Sequence, residues 1–147
     1  MNDQDAPSPG QGTPPVSGFA PLQRSSPFLE RIGPLYQRAA GDGPFTLGLR
    51  ILPEHVNGRG LVHGGLLSTL ADVALGYATA FSQEPALPLV TVNLSLDFCG
   101  SAGLDQWIEI QPSVHKVGRT MAFSSAMLTV DGRPLARASA VFQVARH

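Results

Sequence analysis

The chain of 147 residues has a single cysteine, Cys99, so no disulfide can close within it and no cysteine cluster can bind a metal. Charge is scarce: 14% of residues are charged, against roughly 25% in ordinary globular chains. Formal net charge is -1, and no Lys or Arg stands next to another, so there is no basic run for nucleic acid or an anionic membrane. The four histidines are scattered without ligand spacing, and no metal site is expected. The opening MNDQDAPSPGQG lacks both a basic start and an apolar stretch, so no secretory signal is expected. The longest apolar-rich segment, 64–81, is interrupted by Ser68, Thr69 and Asp72 and makes a poor membrane span. A cytoplasmic location is the expectation. A surface this poor in charge also suggests that another subunit covers part of it.

What remains is 43% hydrophobic, enough for one domain with a sizeable core. Residues 1–26 are rich in Pro, Gly and Ser and read as a disordered tail, which leaves 27–147 as the folded domain. Within 27–40, Phe28, Leu29, Ile32, Leu35 and Tyr36 have helical spacing that Pro34 splits. Phe45, Leu47, Leu49 and Ile51 alternate as a half-buried strand, and residues 53–61 form a loop. One long helical run follows from Leu66 to about Phe81. Four strands come after it. The first carries an unbroken alternation of Val90, Val92, Leu94, Leu96 and Phe98; the others span 106–115, 120–130 and 134–144, with Asp131-Gly132 as a hairpin turn. No internal repeat is present. The layout is α+β: a curved antiparallel sheet of about five strands wrapped around one helix that is covered on nearly all sides.

Asp72 is the sole charged residue of that helix. A buried carboxylate needs partners or a shifted pKa, so Asp72 is either a bracket for neighbouring backbone or a general base or nucleophile. At about 100° per residue, Gly65, Ser68, Thr69, Asp72 and Gly76 share one small, polar stripe. The segment Asn57-Gly58-Arg59-Gly60-Leu61-Val62-His63-Gly64-Gly65 leads straight into the helix. A glycine pair at a helix start leaves backbone N–H groups unobstructed, with the helix dipole behind them. Such a position suits an oxyanion, although Gly-Gly also serves ordinary turns.

The pattern Asn57, Gly60, His63-Gly64-Gly65, Leu70-Ala71-Asp72 closely resembles the hotdog-fold acyl-CoA thioesterases of the phenylacetic-acid-degradation type. The resemblance continues through Val90-Thr91-Val92-Asn93-Leu94 and Gly118-Arg119-Thr120-Met121-Ala122-Phe123 and covers roughly residues 43 to 145. It implies a hotdog fold, acyl-CoA as substrate and Asp72 as nucleophile or general base. It further implies the Gly64 N–H, next to Gly65, as oxyanion donor, and Asn57 and His63 as residues that position the carbonyl or the attacking water. Thr91 sits where the family often has a water-orienting hydroxyl. Gly118, Arg119 and Thr120 match a turn near the coenzyme A nucleotide, and Arg119 there is either a phosphate contact or a solvated turn residue. Granting these roles, Gly64 and Asp72 lie eight positions apart, about 12 Å of helical rise, too far to serve one carbonyl. A two-fold partner with an antiparallel helix would bring its own Asp72 opposite Gly64, so a homodimer is expected to complete the site, with a homotetramer as the assembly. No cofactor is expected, because one carboxylate and an oxyanion donor suffice for a thioester. Two other readings of such a fold are a non-catalytic acyl-CoA sensor and an acyl-thioester dehydratase.

Overall fold

The computed structural model of the chain describes residues 16–39, 41 and 43–145. Its elements, in chain order, are β1 (Phe19–Pro21), α1 (Pro27–Ile32), β2 (Tyr36–Arg38), β3 (Leu47–Arg50), a 3-10 turn (Pro53–His55), α2 (Gly64–Ala80), β4 (Leu89–Phe98), β5 (Trp107–Val117), β6 (Met121–Val130) and β7 (Arg133–Val144). The strands form one antiparallel sheet in the order β1-β2-β3-β5-β6-β7-β4. The helix α2 lies against β4, β5, β6 and β7, which makes this the α+β hotdog arrangement.

The core forms where the apolar side of α2 meets the inner face of the sheet. Leu67, Leu70, Ala71, Ala74 and Leu75 are buried against such strand residues as Ile108, Ile110, Leu128 and Phe142. The expected cover on nearly all sides of α2 is not what this chain provides. Gly65 is exposed and Ser68, Thr69, Asp72 and Gly76 are only half-buried. One sheet can bury one broad side of a helix, and the small polar stripe points away from it. The hairpin turn behaves as its composition requires: Asp131 and Gly132 both have positive φ, at 49° and 77°, the pair of conformations a type I′ turn needs.

Two corrections concern the N-terminal region. The sheet has seven strands rather than five, because β1 and β2 add to the β3 edge. The expected tail of residues 1–26 lies outside the described residues up to 15, but residues 16–26 pack on the domain. Phe19 is buried in an aromatic cluster with Tyr36 and Trp107, its ring edge-on to Trp107 at 5.1 Å. Composition alone hid this strand, since a single aromatic anchors it among Pro, Ser and Gly. Likewise only the first half of 27–40 is helical. Ser26 caps α1 through its side chain, the chain leaves the helix at Gly33 before Pro34, and Tyr36–Arg38 runs on as a strand.

Gly48 lets this cluster close. A Cβ there would run into the six-membered ring of Trp107 and come within 3.1 Å of Phe19. Gly48→Ala is therefore expected to lower stability by about 1–3 kcal/mol through overpacking, read as a lower midpoint in chemical denaturation.

Candidate active site

The helix α2 begins without a Ser, Thr, Asp or Asn cap. His63 takes that place, with extended φ and ψ of -71° and 132°, and its Nδ1 accepts the Gly65 N–H at 3.3 Å. The His63 carbonyl accepts the N–H groups of Leu66 and Leu67. Among the described residues the Gly64 N–H alone of that first turn has no hydrogen-bond partner. It points along the positive end of a 17-residue helix.

The loop leading there is held rigid from within. Asn57 Oδ1 accepts the N–H groups of Arg59 at 2.9 Å and Leu61 at 3.2 Å, and the Asn57 backbone pairs with Leu61 at 2.8 Å. His55, which is buried, ties the loop to α1: its Nδ1 accepts the Leu52 N–H at 2.9 Å, so the ring hydrogen sits on Nε2 and donates to the Ile32 carbonyl at 2.6 Å. The His55 carbonyl accepts the His63 N–H at 3.0 Å, so the same residue also fixes the helix start. Nothing in the sequence pattern singled out His55, because its function is to be surrounded by backbone groups distant in the chain.

Two turns further along α2, the Thr91 hydroxyl donates to Asp72 Oδ1 at 2.8 Å. Asp72 Oδ2 is left without a hydrogen bond among the described residues. Ser68 and Thr69 on the same stripe spend their hydroxyl hydrogens on the carbonyls of Gly64 and Gly65. The carboxylate is thus the one polar group of the stripe free to act on something else.

The Thr91 contact exists because β4 departs from the expected alternation. A β-bulge lies between Thr91 and Asn93, so Thr91 pairs with Phe142 while Asn93 pairs with the very next residue, Val141. Without the bulge, the phase set by Leu94 and Leu96 would turn Thr91 outward and Val90 inward. Instead Val90 and Val92 are each 56% exposed. The sequence shows no sign of this, since Val at both positions fits a regular strand equally well. The strand β4 is also the last of the sheet, bonded only to β7, so its outer edge is bare.

Asp72 and Thr91 open into a groove of about 420 Å³ lined by Val73, Gly76, Tyr77, Leu89, Phe142 and the α1 residues Phe28 and Leu29. A neighbouring cavity of about 370 Å³ holds His63 and Gly65 and shares Phe28 and Thr69 with the first. The walls contributed by α1 were not foreseen, because helical spacing gives no hint of where a short helix docks. The structure does not bring Gly64 and Asp72 together within one chain; one straight helix holds them apart. Nor do Gly118, Arg119 and Thr120 line the Asp72 groove. They form the β5–β6 turn, closed by Gly118 N–H to Met121 O at 2.8 Å, at the sheet end where Thr120 O accepts from Val144 and Val144 pairs with Leu89. Among the described residues no group of three or more His, Cys, Asp or Glu could hold a metal ion. No helix among them is long and apolar enough to cross a membrane.

A model of the thioesterase superfamily matches residues 59–137. The chain is 52% identical over 127 residues to a Pseudomonas aeruginosa protein named as an esterase, covering 86% of this chain and 95% of that protein. It is 31% identical over 108 residues to acyl-coenzyme A thioesterase 13 of Homo sapiens, covering 74% of this chain and 76% of that one. Among solved structures, zebra fish thioesterase superfamily member 2 superposes with a TM-score of 0.73 at 28% identity, over 82% of this chain and 88% of that chain.

Asn57→Ala removes the acceptor for two loop amides and is expected to cost about 1–3 kcal/mol of stability. Asn57→Asp keeps that acceptor and is expected to denature close to wild type, so the pair separates the scaffolding part of Asn57 from any chemical part.

Proposed function

Because the chain belongs to the thioesterase superfamily, we propose that it hydrolyses acyl-coenzyme A thioesters to the free acid and coenzyme A, at a site shared by two copies of the chain. The observation that carries this reading is Asp72: a lone carboxylate, oriented through Oδ1 by Thr91 and open at Oδ2, beside an apolar groove.

In this reading the thioester carbonyl oxygen sits against the Gly64 N–H of one subunit and the acyl carbon faces Asp72 of the other. The unpartnered amide and the helix dipole stabilise the negative charge that builds on the carbonyl oxygen. Asp72 Oδ2 takes a proton from water as the water oxygen bonds to the acyl carbon. The tetrahedral species then collapses, the C–S bond breaks, and the sulfur leaves with the proton as coenzyme A thiol. Direct attack by Oδ2, giving a mixed anhydride that water opens, uses the same groups; oxygen-18 entering Asp72 in a single turnover distinguishes it. Thr91 holds the carboxylate at the right angle in either route. His63 and Asn57 act one step back, by fixing the helix start and its loop. The family resemblance makes the turn 118–120 the one nearest the coenzyme A nucleotide in this reading, with the Arg119 guanidinium as its candidate phosphate contact.

Two features support the shared site. Helix geometry separates the two groups by about 12 Å within one chain, and β4 offers a ten-residue open edge with apolar Val90 and Val92 along it. A second β4 paired antiparallel across that edge would run the two α2 helices in opposite directions, each Asp72 toward the other subunit's Gly64.

Asp72→Ala is expected to lower turnover of benzoyl-, phenylacetyl- or fatty acyl-CoA by at least ~10², measured as thiol release; activity within a few-fold of wild type would sink the assignment. Gly64→Pro removes the amide hydrogen while keeping the helix, since the first helical position accepts proline and a Cβ there meets only the Phe98 ring at 3.5 Å. Each variant alone is expected to be inactive, and mixing Asp72→Asn with Gly64→Pro chains is expected to restore part of the activity. No recovery after confirmed subunit exchange counts against a shared site.

A further inference from the structure

Beyond Gly76, the Asp72 groove is lined by Ala80 and by Tyr77. Tyr77 stands five positions beyond Asp72 on α2, about 7.5 Å along the helix. Its side chain lines the groove of about 420 Å³ and also a second cavity of about 430 Å³, bounded by Gln23, Arg24, Gln37, Phe45 and Phe81. A residue that borders two cavities can act as a partition between them. The partition is braced on its far side. The Tyr77 hydroxyl donates to the Arg24 carbonyl at 3.0 Å, the Tyr77 ring meets Phe81 edge-on at 6.1 Å, and the Arg24 guanidinium lies 4.4 Å from the centre of the Phe81 ring. On the near side the path from Asp72 is open and apolar: a Cβ at Gly76 would find its nearest neighbour, Phe142, at 3.9 Å.

We propose that Tyr77 sets the length of acyl group the enzyme accepts, which deepens the thioesterase reading and rests on it. The acyl carbon lies at Asp72, the chain runs over Gly76 between Leu89 and Phe142, and its end meets the Tyr77 ring. Short- and medium-chain acyl groups fit in front of that ring. A long chain collides with it, although space for the extra carbons exists directly behind. Removing the ring joins the two cavities.

The test compares kcat/KM for hexanoyl-CoA and dodecanoyl-CoA by thiol release. In Tyr77→Leu, a substitution that keeps an apolar helix former, the dodecanoyl-to-hexanoyl ratio is expected to rise at least about tenfold, the scale on which hydrophobic pockets discriminate chain length. Tyr77→Phe, which retains the ring, is expected to follow the wild type in that ratio. Gly76→Ala adds a methyl group to the proposed path while favouring the helix, and is expected to lower hexanoyl-CoA hydrolysis relative to acetyl-CoA. An unchanged ratio in Tyr77→Leu, with hexanoyl-CoA still hydrolysed in an Asp72-dependent way, overturns the partition alone. A wild type that releases no thiol from any of these thioesters overturns the thioesterase reading and this inference with it.

Discussion

The hydrogen bond from Thr91 to Asp72 joins the edge strand to the central helix, and the geometry of the site follows from it. A carboxylate on an otherwise apolar helix would rotate freely, or turn to the nearest backbone amide, unless something fixed it. Thr91 fixes one oxygen and leaves the other toward the groove. That bond in turn requires the bulge in β4, because a regular strand would have pointed the hydroxyl at solvent. A local irregularity of backbone pairing thus decides which way the Thr91 hydroxyl faces, and through it how the Asp72 carboxylate is held.

The other end of α2 is organised on a different principle. There the useful group is a backbone amide, and the surrounding residues act by occupying its neighbours. The His63 ring takes the Gly65 N–H, its carbonyl takes the next two, and the Gly64 N–H is left over. His55 and Asn57 hold the approach to this turn by accepting and donating to backbone groups on three separate segments. Each of these residues acts through the position of the helix start rather than by reaching into the groove. The carboxylate and the amide are fixed independently, one by a strand and one by a loop, and the rigid helix between them sets their separation.

Much of this is legible in the sequence. Helical periodicity located α2, and the isolation of Asp72 within it marked the residue as unusual on physical grounds. Alternation located β3 and β4, turn residues set off the three strands that follow, and Asp131-Gly132 announced a turn whose two positive φ angles few other residue pairs tolerate. What stayed hidden depends on contacts between segments distant in sequence. Phe19 turns a Pro- and Ser-rich stretch into a strand only because Trp107 is there to meet it. The bulge beside Val92 leaves no compositional trace. The reach of α1 over the groove, and the position of Tyr77 between two cavities, depend on docking that no local pattern encodes. For the same reason the helix reads as covered on nearly all sides from its apolar circumference, whereas the stripe from Gly65 to Gly76 is left open in the chain.

The two short N-terminal strands have a further consequence for how copies of the chain can meet. By lying along the β3 side of the sheet they replace a four-residue strand border with β1, which offers three residues and terminates in proline, a residue with no amide hydrogen to extend a ladder. Among the described residues, the long open border is the opposite one, along the ten residues of β4. The two borders are therefore unequal as pairing edges: ten residues along β4 against three along β1.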